Sequence, residues 1–71
     1  MDSKFKILDA VALLTDIPER SLIKGQVGTI VEYLDKGIFE IEFSNKNGET
    51  LQTIPLEEKN ILLLHYENEI A

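Results

Sequence analysis

Lys24-Gly25-Gln26-Val27-Gly28-Thr29-Ile30-Val31-Glu32-Tyr33-Leu34-Asp35-Lys36-Gly37-Ile38-Phe39-Glu40-Ile41-Glu42-Phe43 reads as a β-hairpin. One strand-like run ends at Leu34 and the next begins at Ile38. Between them, Asp35-Lys36-Gly37 supplies a glycine for the left-handed position of a three-residue turn. In the second run Phe39, Ile41 and Phe43 alternate with Ile38, Glu40, Glu42 and Ser44, which makes one face core and the other mostly acid. Gly25 and Gly28 bracket the entry to the first run, where glycine permits a positive φ or a close backbone approach. Lacking a third glycine and a following helix, they form no dinucleotide fingerprint.

Outward from the hairpin, Asn45-Lys46-Asn47-Gly48-Glu49 is a turn cluster whose Asn-Gly pair suits a type I′ turn, and residues 50–54 return as a strand. Pro55 is expected to end that strand, residues 56–60 to form one helical turn, and residues 61–64 to be the last strand. Toward the N-terminus, residues 8–14 read as the first strand, and residues 15–26 as a loop carrying Ile17-Pro18 and the apolar pair Leu22-Ile23. Two readings of that loop stand side by side. Either Ile17 or Leu22 folds back as a lid over one end of a barrel, or Leu22 and Ile23 are exposed as part of a contact patch. The element order is that of an all-β protein, a small five-stranded SH3-like barrel with one short helical turn before the last strand.

A chain of 71 residues makes one domain, with residues 1–6 and 66–71 expected to fray. There is no cysteine, so neither a disulfide nor a thiolate ligand adds stability. Thirteen acidic and seven basic residues give a net charge of −6, which opposes phosphate backbones and favours basic protein partners on encounter. No apolar run has the length of a signal core or a membrane span, so the expected location is the cytoplasm.

Residues able to carry chemistry are few. His65 is the only histidine and ends an apolar run; Ser3, Ser21 and Ser44 lack a nucleophile elbow. Glu40 and Glu42 stand two apart on one strand face, but without a cavity to raise either pKa they read as a solvated outer face. The turn at Asn45 lacks an acid where a calcium loop needs its first ligand, since Phe43 is there, and one histidine without cysteine excludes structural zinc. No cofactor or metal is therefore expected, and the protein reads as non-enzymatic. A proline-rich ligand is disfavoured, because the chain has no Trp and only Tyr33 and Tyr66.

The runs Leu8-Asp9-Ala10-Val11-Ala12-Leu13-Leu14, Lys24-Gly25-Gln26-Val27-Gly28-Thr29-Ile30-Val31-Glu32, Phe39-Glu40-Ile41-Glu42-Phe43 and Ile61-Leu62-Leu63-Leu64-His65 resemble a family of small bacterial proteins, common in cyanobacteria, known as a domain of unknown function. The resemblance spans nearly the whole chain and implies an SH3-like barrel without established biochemistry, so it brings no site residues. The standing of its members as tiny separate genes suggests one half of a toxin–antitoxin or immunity pair. More loosely, residues 25–32 are similar to the motif of KOW-type ribosomal and elongation barrels, which bind RNA or protein. Where those RNA binders place Lys, Arg and aromatics, this chain has Glu32, Glu40 and Glu42. The expectation is a protein-binding module that neutralises a basic toxin, with Leu22, Ile23, Glu32, Glu40 and Glu42 as contact residues. An RNA- or ribosome-associated barrel is the alternative, and homo-oligomers remain open.

Overall fold

A computed structural model describes residues 4–65. Five strands, β1 (Ala10–Leu13), β2 (Val27–Asp35), β3 (Ile38–Ser44), β4 (Thr50–Glu57) and β5 (Ile61–Leu63), form one antiparallel sheet in the order β4-β3-β2-β1-β5. Among the described residues, the helical elements besides the strands are two short 3-10 turns, Pro18–Arg20 and Glu58–Asn60, the second lying just before β5. The sheet curls around a single core, so the all-β, barrel-like class and the turn before the last strand are both as expected. No helix among the described residues is long and apolar enough to cross a membrane.

The alternation in β3 decides the interior. Phe39, Ile41 and Phe43 are buried, with Val11 and Leu13 of β1, Ile30 of β2, Ile54 and Leu56 of β4 and Ile61 of β5 packed around them. Phe39 lies between two rings, 5.7 Å from Phe5 and 5.6 Å from Tyr33, the latter edge-on. Phe5 is thus part of the core, and the fraying expected of residues 1–6 does not reach it; residues 1–3 and 66–71 lie outside the described residues.

Gly28 shows why β2 can lie so close to β3. Its φ is not positive; a Cβ there would fall 2.7 Å from Ile41 Cγ2, 2.9 Å from the Glu42 carbonyl oxygen and 2.9 Å from Phe43 Cε1. Close approach, rather than left-handed backbone, is the reason for this glycine.

Several element boundaries differ from the sequence reading. The first strand is shorter than residues 8–14, because Leu8 belongs to a turn. Pro55 does not end β4, which continues to Glu57. The Glu58 N–H donates to the Gly37 carbonyl. Because N–H directions alternate along a strand, Pro55 then turns its donorless nitrogen toward the free edge, where no ladder bond is lost. The Asn45 turn is not type I′: Gly48 has φ +83° but Asn47 is not positive. The Asn45 side chain explains this, since its Oδ1 accepts from the N–H groups of both Asn47 and Glu49 and its Nδ2 donates to Glu49 Oε1.

Candidate functional site

The register of the sheet sorts its outer face into rows. Leu62, Ala12 and Val27 stand side by side across β5, β1 and β2, with Leu62 49% and Val27 52% exposed. The next row crosses Ala10, Thr29, Glu42 and Thr53. Beyond it come Glu32, Glu40 and Pro55, then Asp35, Ile38 and Glu57. Along β2 the outer face therefore passes from apolar at Val27 to acidic at Glu32, which faces Glu40 of β3.

Within the acidic part, Glu32 and Glu40 are direct cross-strand partners, and Glu42 follows Glu40 on the same face of β3. Directly opposed like charges destabilise a strand pair. Glu42 has a polar partner in Thr50, whose Oγ1 donates to Oε2 over 2.6 Å. None of the three forms an ion pair among the described residues; Lys59 to Glu57, at 3.7 Å, is a surface pair elsewhere. The structure thus brings Glu32, Glu40 and Glu42 together as an uncompensated charge cluster.

Leu22 and Ile23 do not join them. Leu22 is 2% exposed. The 3-10 turn at Pro18–Arg20 reverses the chain so that Ile17 and Leu22 bridge, Ile17 N–H to the Leu22 carbonyl at 2.8 Å and the reverse at 3.2 Å. That bridge aims Leu22 into the core, so the lid reading of the loop holds and Leu22 is not a contact residue. Gln52 Nε2 fastens the same loop to β4 through the Arg20 carbonyl. Ile23 is exposed, but it lies in the turn that leads into β2 at Val27, and from Val27 to Glu32 the strand runs roughly 17 Å at the usual rise per residue.

The sequence reading missed the apolar surface at the other end of β1. Lys6, Ile7, Leu8 and Asp9 form a tight turn, with the Asp9 N–H donating to the Lys6 carbonyl and the Lys6 N–H to Asp9 Oδ2 at 2.8 Å. Leu8 has φ +78°, and both it and Ile7 are exposed. The Leu8 N–H donates to the Ile30 carbonyl while the Ile30 N–H donates to that of Asp9, so two residues of one strand face a single residue of β2 in a bulge of the G1 kind. Glycine is the usual sign of such a turn. Its absence here concealed the element in the sequence.

Comparison with known proteins bears on the family and not on the site. Neither the curated proteins nor the solved structures gave a match. Residues 7–63 match the model of a family described as "Domain of unknown function (DUF4926)", a span that runs from the exposed turn through β5, and the chain belongs to that family.

Proposed function

We propose that this protein is a non-enzymatic, cytoplasmic protein-binding module on an SH3-like barrel, whose acidic strand pair receives a basic protein partner in the manner of an antitoxin or immunity protein. The observation that carries this reading is the direct opposition of Glu32 and Glu40, flanked by Glu42, without an ion pair among the described residues. The arrangement burdens the isolated fold, whereas a cationic surface laid over it turns repulsion into attraction and steers encounter. The chain's net charge of −6 acts in the same direction at longer range. The same charges work against a phosphate backbone, which disfavours the RNA reading.

Co-purification with the product of the adjacent gene, at low and at physiological salt, tests the proposal. A complex that weakens with salt and is lost on Glu40→Lys supports it. Binding to the adjacent product that ignores Glu40→Lys and Glu42→Lys overturns the acidic face as the contact. Retention of a transfer-RNA probe in a filter assay, falling steeply as salt rises, favours the ribonucleoprotein alternative.

A further inference from the structure

The β1–β2 ribbon is bounded at both ends by the same device. At one end is the Lys6–Asp9 turn. At the other, residues 23–26 repeat its bonding: the Gln26 N–H donates to the Ile23 carbonyl, the Gly25 N–H to the Leu13 carbonyl and the Leu13 N–H to that of Gln26. Even the side-chain bond recurs, the Ile23 N–H donating to Gln26 Oε1 as the Lys6 N–H does to Asp9 Oδ2. The left-handed position is Gly25 in one turn, with φ +92°, and Leu8 in the other, with φ +78°. One protein thus displays the residue this backbone favours and, in the equivalent place, a residue it disfavours.

Leu8 also gives the fold little in return. It is 73% exposed, the most exposed large apolar side chain among the described residues, and Ile7 beside it is 50% exposed. Its place in the register is informative. Leu8 bonds to Ile30, which puts it against the Ile30–Val31 step of β2, immediately before Glu32. It therefore stands on the β1 side of the row formed by Glu32, Glu40 and Pro55, where the regular β1–β2 ladder has ended.

We propose that the Ile7–Leu8 turn is the apolar anchor of a protein–protein contact, inserting into an apolar pocket that a basic partner protein rims with lysine or arginine. The inference rests on the binding role proposed above and replaces Leu22 with Leu8 as its hydrophobic centre. Charge complementarity fixes the occupant. By register Leu8 stands beside the Glu32–Glu40 pair, which has no ion pair among the described residues, and a rim of lysine or arginine complements that pair.

The test has two readouts. In the purified full chain, Leu8→Gly and Leu8→Asn suit the left-handed backbone and remove the apolar tip. Both are expected to keep or raise the melting temperature; a fall of several degrees means that Leu8 supports the fold and overturns the inference. Fragments of the source genome displayed on phage are then selected on the wild-type chain, and each identified fragment is measured against both variants and Glu40→Lys. Fragments with Lys- or Arg-flanked apolar segments that bind the Leu8 variants at least about tenfold more weakly support the anchor. Fragments that lose affinity only with Glu40→Lys overturn it and leave the acidic face standing. Fragments indifferent to every variant overturn both.

Discussion

Gly28 is the residue on which the β2–β3 contact depends. With backbone and ring atoms already inside 3 Å of where its Cβ would be, Gly28→Ala is expected to destabilise the fold by about 1–3 kcal/mol, measured as a lowered denaturant midpoint at constant slope. Phe43→Ala, which empties a fully buried site, should cost about 3–5 kcal/mol. An unchanged midpoint in either variant contradicts this packing. Gly25 is a different case. Space is open around it, so Gly25→Ala tests backbone strain alone and should cost roughly 1 kcal/mol through its φ of +92°. Residues of one type, three positions apart, are thus needed for unrelated physical reasons. The sequence posed both reasons without saying which applied to which glycine, because packing against β3 is invisible until the sheet is assembled.

Among the elements, β4 carries the free edge opposite β5. Pro55 sits in its interior with its nitrogen toward that edge, and a proline there withholds a donor from any strand that approaches. Pro55→Thr is expected to leave the fold intact and to increase self-association, read by light scattering over a concentration series; an unaltered monomer fraction shows that the edge is protected by something else. The sequence revealed the strand count, the β2–β3 hairpin and its inward face, because strict alternation across Phe39, Ile41 and Phe43 admits one arrangement. It did not reveal the course of β4 through Pro55, since a proline at an edge and a proline at a strand end look the same in one dimension. Of the candidate contact residues, Glu40 and Glu42 came from the same alternation and Glu32 from its place on the same hairpin, and the three do converge. Leu22 failed as a contact because a loop's apolar residue has no periodicity to say which way it faces.

At the scale of the whole molecule, charge and stability are set against each other. Glu40→Lys replaces a repulsive cross-strand pair with an attractive one and changes the net charge from −6 to −4, a difference of two because a negative charge becomes positive. Thermal melts should show the variant a few tenths of a kcal/mol more stable than wild type at low salt, with the gap narrowing as salt screens both proteins. A variant less stable at every salt concentration means that the glutamate pair supports the barrel. The twin turns at the ends of the β1–β2 ribbon carry the same opposition into the backbone. Because their hydrogen bonds correspond one for one, they are interchangeable parts. A chain whose residues 6–9 are rewritten as Ile-Lys-Gly-Gln keeps every main-chain bond of the first turn and loses its apolar tip, so the scaffold and what it carries become separable pieces of one small protein.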